Sequence, residues 1–132
     1  MMSAFTAGVV RGAGRGRTIG TPTINLSPEA LTEIGKEGIY AVWAIFDGDR
    51  VPAVMHAGDR PVFGDTQSVE IHLLGNVPAV TPDELTVEVV AYLRAIENFP
   101  SVDELRAQIA RDIARARATL GVDAAAPEES DS

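Results

Sequence analysis

The chain has 132 residues, 45% of them apolar, enough to enclose one core in one domain without crosslinks or metals. Its net charge of −8 excludes non-specific attraction to nucleic acid or an anionic membrane, because both need a surplus of Lys and Arg. Cysteine is absent, which excludes disulfides, zinc-thiolate sites and thiol nucleophiles and fits a cytoplasmic protein; a monomer is expected.

In chain order, Ala4 to Val10 is a run of small and β-branched residues that enters a Gly/Arg stretch, the pattern of a strand running into a loop. Within that loop Arg11, Arg15 and Arg17 alternate with Gly12, Gly14 and Gly16, so a local anion site is available in an acidic protein. Pro22-Thr23-Ile24-Asn25-Leu26 follows as a short alternating strand. Gly38 to Phe46 is continuously apolar, and Asp47-Gly48 separates it from a second run, Val51 to Met55, which predicts a hairpin. Further strands are predicted at Ser68 to Leu74 and Thr86 to Leu93. Val102, Leu105, Ile109, Ile113, Ala116 and Leu120 then step by three or four, the period of one helix face. Ser101 and Glu104 form a capping box in front of that helix, and Gly121 stops it. Residues 122–132 carry Asp123, Glu128, Glu129 and Asp131 among Ala, Pro and Ser, so a disordered acidic tail is expected after a domain spanning 1–121. Several short strands followed by one helix with a single apolar stripe predict a mainly β protein, a small antiparallel barrel with the helix packed on it.

The Gly/Arg loop matches neither common nucleotide motif. A Walker A loop would need Gly at position 11 and Lys at 17, where this chain has Arg11 and Arg17, and the dinucleotide fingerprint would need Gly at 17. Alternation in the next strand puts Thr23 and Asn25 on one face, about 6.6 Å apart along the chain. A hydroxyl and a carboxamide so placed can share one Mg²⁺ whose other ligands are nucleotide phosphates and water; an ordinary strand end is the alternative. The same alternation puts Glu70 and His72 on one face of their strand and Val69, Ile71 and Leu73 on the other. A strand Glu is ordinarily a solvated side chain, but beside a Mg²⁺-nucleotide site it can accept the proton of an attacking hydroxyl. His72 reads as a half-buried strand residue. His56 is set aside, because Asp59 stands where a His-x-Gly-His element would place its second His.

Gly8-Val9-Val10-Arg11-Gly12, Gly14-Arg15-Gly16-Arg17, Gly20 and Pro22-Thr23-Ile24-Asn25-Leu26, taken in that order, resemble the opening of the riboflavin kinase family. Downstream, Gly38-Ile39-Tyr40, Gly58-Asp59-Arg60-Pro61-Val62-Phe63-Gly64, Glu70-Ile71-His72, Leu93-Arg94, Asn98-Phe99 and the final helix are similar to the family's later motifs. The resemblance covers roughly residues 8 to 120 and implies a six-stranded antiparallel, Greek-key-like β-barrel with one C-terminal helix. It further implies transfer of the ATP γ-phosphate to riboflavin, giving FMN and ADP. In that scheme Thr23 and Asn25 bind Mg²⁺; Gly12, Gly14, Arg15, Gly16, Arg17 and Thr23 hold ATP; Glu70 is the base; and Arg94, Phe99 and Leu105 line the flavin. Residues 75–83 and Ile96 depart from the family pattern on the expected flavin side. With Met1 just ahead of the first strand, no room remains for a fused adenylyltransferase, so FMN is the expected end product. A barrel that binds flavin or nucleotide without turnover is the alternative reading.

Overall fold

The computed structural model describes residues 3–10, 23–60, 65–75, 81–97 and 99–122. Six antiparallel strands, β1 (Ser3–Val10), β2 (Thr23–Leu26), β3 (Gly38–Phe46), β4 (Asp49–Arg60), β5 (Asp65–Leu73) and β6 (Glu84–Arg94), close into a barrel in the order β1-β2-β5-β4-β3-β6. The strands β3, β4 and β5 form a meander. With β2 returning beside β5 and β6 returning beside β3, the meander is flanked on both sides in Greek-key fashion.

The predicted hairpin is present: Phe46 pairs with Asp49, and the two turn residues Asp47 and Gly48 have φ of 52° and 79°. That is the turn geometry whose twist matches the flanking strands. Alternation fills the interior with Phe5, Ile24, Leu26, Val42, Met55, Val69, Ile71, Leu85 and Val87, all buried. Measured against the expectation, β4 runs further in both directions, because β3 and β5 supply partners along its whole length.

Two helices complete the fold among the described residues. Helix α1 (Ala30–Ile34) has no counterpart in the sequence reading, since five residues are too short to show a period. It follows Pro28, ends at Gly35 in the left-handed conformation, and packs Ala30, Leu31 and Ile34 on the core. Helix α2 (Val102–Leu120) begins as predicted, with the Ser101 hydroxyl accepting from the Glu104 backbone N–H at 3.1 Å, and ends at Gly121. Its stripe divides in two. Ile113, Ala116 and Leu120 pack on Ile39, Ala41, Val54 and Leu93 of the barrel's outer face, whereas Val102 is exposed and Leu105 and Ile109 are half-buried outside that cluster. The anticipated tail, from 123 onward, lies outside the described residues.

Candidate active site

The pairing of β2 with β5 sets Thr23 opposite His72 and Asn25 opposite Glu70. Ile24 and Leu26 on one strand and Val69 and Ile71 on the other point inward, so these four polar residues share the outer face. Directly opposite residues of an antiparallel pair bring their Cβ atoms to about 4.5–5.5 Å. On β4 the row continues with His56 opposite Glu70, and then with Ile39 on β3 and Arg94 on β6.

Burial separates this row from an ordinary solvated strand face. Glu70 is 5% exposed and His72 9%, although both point away from the core. Thr23 Oγ1 and His72 Nδ1 are 3.1 Å apart, a hydrogen bond whose direction follows the imidazole tautomer. On the other side of the ring Nε2 lies 3.6 Å from Glu70 Oε1. A hydroxyl, an imidazole and a carboxylate therefore stand in line, with a carboxamide beside them. The sequence reading took His72 for a plain strand residue and set His56 aside; both belong to this row. The signal was available in the Glu-x-His spacing, which puts the two side chains on one face, but the cross-strand partner depends on a register that sequence does not show.

Whether this face suits Mg²⁺ can be judged from its donors. Thr23 and Asn25 offer neutral oxygens, the ligand type a hard cation prefers. Among the described residues no group of three His, Asp or Glu side chains could hold a metal unaided. The donor set fits an ion that takes few protein ligands and draws the rest from phosphates. Gly12, Gly14, Arg15, Gly16 and Arg17 lie outside the described residues. Their segment leaves the sheet at Val10, which pairs with Asn25, and re-enters at Thr23, so both of its ends adjoin the two oxygen donors.

At the far end of the row, Arg94 is clamped rather than open. Its Nε and Nη2 donate to the two Asp112 carboxylate oxygens at 2.9 and 2.7 Å, and its Nη1 donates to the Ala95 carbonyl at 2.9 Å. Gln108 Nε2 donates to Asp112 Oδ1 at 3.0 Å, and Asp112 is 3% exposed. The Arg94 guanidinium also lies 5.7 Å from the Phe99 ring centroid. Leu105 sits half-buried one turn into α2. Asp112 was missed by the sequence reading. Its clue is its place inside the apolar stripe between Ile109 and Ala116, where an acid stays only with a partner.

A closed antiparallel barrel carries on its flank a buried carboxylate, an oxygen-donor pair and a helix-braced neighbouring wall. Residues 2–120 match the flavokinase model, described as riboflavin kinase. The chain is 38% identical over 121 residues to the bifunctional riboflavin kinase/FMN adenylyltransferase of Escherichia coli K12, covering 90% of this chain and 38% of that protein. It is 34% identical over 119 residues to the riboflavin kinase of Homo sapiens, covering 85% of this chain and 77% of the human protein. The crystal structure of riboflavin kinase from Trypanosoma brucei superimposes with a TM-score of 0.66 at 18% identity, over 91% of this chain and 78% of that one, which shows the shared fold. This chain belongs to the riboflavin kinase family. It spans 38% of the length of the bifunctional bacterial relative and most of the length of the human one.

Proposed function

We propose that the chain is a riboflavin kinase that transfers the γ-phosphate of ATP to the ribityl 5′-hydroxyl of riboflavin, giving FMN and ADP. The observation that carries the reading is Glu70: a carboxylate on the outer face, yet 5% exposed, opposite Asn25 and in line with His72 and Thr23. A buried carboxylate held by its neighbours is a proton acceptor of fixed geometry, which a solvated strand Glu is not.

In the reaction the ribityl oxygen attacks the γ-phosphorus as its proton passes to Glu70. The new O–P bond forms while the bond from the γ-phosphorus to the β–γ bridging oxygen breaks, and ADP leaves with that electron pair. Mg²⁺, held by Thr23 and Asn25, would neutralise charge on the phosphates. The Gly/Arg segment, anchored at both ends beside these residues, is assigned to the ATP phosphates. The flavin is assigned to the end of the row where Phe99 and Leu105 stand. Val102, exposed, and Leu105 and Ile109, half-buried, are the part of the α2 stripe that offers apolar surface to a ring. Arg94 then serves the flavin through Phe99 and the clamp with Asp112 rather than by direct contact.

No helix among the described residues is long and apolar enough to cross a membrane, and a monomeric cytoplasmic enzyme is the setting proposed. The test is incubation with riboflavin, ATP and Mg²⁺, with FMN resolved by chromatography. FMN formation that stops on chelation of Mg²⁺ is expected. Saturable flavin or ADP binding without FMN would mean a binding barrel instead.

A further inference from the structure

His72 stands between a hydroxyl, which can donate or accept, and a carboxylate, which when ionised can only accept. On β5 it stands opposite Thr23 and two residues after Glu70, on the same face. Its Nδ1 is 3.1 Å from Thr23 Oγ1, its Nε2 is 3.6 Å from Glu70 Oε1, and the side chains of His72 and Glu70 are both almost wholly buried. Neutral imidazole has one N–H and one lone pair, so the ring can donate on one side only. With the proton on Nδ1 it would spend a lone pair of the Thr23 hydroxyl and turn a bare nitrogen toward a carboxylate oxygen. With the proton on Nε2 it presents N–H to Glu70 and accepts the Thr23 O–H, which leaves the hydroxyl oxygen's lone pairs for a cation. The second tautomer satisfies both neighbours.

We propose that His72 is a positioning residue, fixed as the Nε2–H tautomer, that couples the cation-binding hydroxyl of Thr23 to the carboxylate of Glu70. The proposal rests on the riboflavin kinase reading of the same face. His72 moves no proton in it: the substrate proton ends on Glu70. It orients one oxygen donor and one acceptor at once, in the way partners behind metal ligands fix those ligands, and loss of such partners typically costs about 10–100-fold in affinity or activity.

The two ring nitrogens have separable tasks, which a packing role would not have. Asn at this position places a carboxamide near the site of Nδ1, and Gln reaches the site of Nε2. The first measurement is the ¹⁵N spectrum of the imidazole in the unaltered chain without substrate. A bare Nδ1 and a protonated Nε2 are expected, and the reverse tautomer would overturn the proposal whatever the variants do. Next, His72→Asn and His72→Gln are compared by calorimetric binding of ADP with Mg²⁺ and by kcat for FMN formation. His72→Asn should keep Mg²⁺-ADP affinity within about twofold and lower kcat about 10–100-fold. His72→Gln should weaken Mg²⁺-ADP binding by about 10-fold or more while keeping more of the kcat at saturating Mg²⁺. Equal losses in both variants on both readouts would overturn the proposal. If the unaltered chain makes no FMN, the kinase reading fails by itself, and the tautomer and the ADP-binding comparison still decide the coupling.

Discussion

Two stretches of the same outer surface are built on opposite rules. On the β2–β5 wall Thr23, Asn25, Glu70 and His72 point outward, with Thr23, His72 and Glu70 joined by hydrogen bonding and charge. On the β3–β4–β6 wall, beyond the His56 and Arg94 end of that row, Ile39, Ala41, Val54 and Leu93 form an apolar cluster that α2 covers. The helix is stapled there by Arg94 with Asp112, by Arg115 Nη1 donating to the Leu93 carbonyl at 2.9 Å, and by Arg117 Nη2 donating to the Leu74 carbonyl at 3.1 Å. Apolar contact is non-directional and tolerates modest change in shape, whereas the polar wall works only at fixed angles and protonation states. Stability should therefore reside mainly in one wall and activity in the other.

The largest separation is expected from Glu70→Gln. The substitution keeps shape and removes the proton acceptor, so FMN formation should fall by about 10²–10⁴-fold while thermal unfolding and Mg²⁺-ADP binding stay near those of the unaltered chain. An intact rate would transfer the base role elsewhere. Asp112→Ala attacks the other wall by leaving Arg94 without its bidentate partner, at a cost of about 3–5 kcal/mol in chemical denaturation. Its KM for riboflavin should rise while the KM for ATP is kept, because the clamp adjoins Phe99 and lies far along the row from Thr23. Gly58→Ala comes next. Gly58 has φ 133°, and an added Cβ would stand 2.6 Å from Ile96 Cδ1 and 3.0 Å from Glu37 Cβ, so about 1–3 kcal/mol of stability should be lost. Ser101→Ala removes the α2 cap and should cost about 1 kcal/mol, read as a small fall in melting temperature with kcat unchanged.

The smallest effect is electrostatic. Burial, and after it the neighbouring Tyr92, raise the Tyr40 phenol above its ordinary value, and its O–H donates to the Lys36 carbonyl at 2.6 Å. The folded chain thus keeps a proton that the unfolded chain releases. Tyr40 contributes its full share to stability below about pH 10, and that share is lost as pH rises through the higher folded value. Unfolding of Tyr40→Phe above pH 10 should show a shallower decline than the unaltered chain.

The strands were legible because alternation and the Asp47-Gly48 turn are local signals, and the two ends of α2 because Ser101, Glu104 and Gly121 are local caps. Thr23, Asn25 and Glu70 could be placed on strand faces for the same reason. What brings them together is the β2–β5 register, a long-range property of barrel closure. The same reason hid His72, whose bond to Thr23 crosses strands, and Asp112, whose partner Arg94 lies on another element. The α2 stripe showed a helix face but not how it divides, with Ile113, Ala116 and Leu120 in the barrel cluster and Val102 exposed. Ile96 replaces an acid common in the family, and here it packs with the cluster beneath α2 and against Gly58, so the departure serves the apolar wall.

The closing strand β1 passes from one neighbour to the other along its length. It runs beside β6 from Ser3 to Gly8, but among the described residues it meets β2 only through Val9 with Leu26 and Val10 with Asn25. The wall under α2 joins β3 to β4 and to β6 over long ladders, so amide exchange should be slowest there. A hoop braced by a beam along one arc holds its shape there first, so the helix-covered wall is the frame against which the rest of the barrel is set.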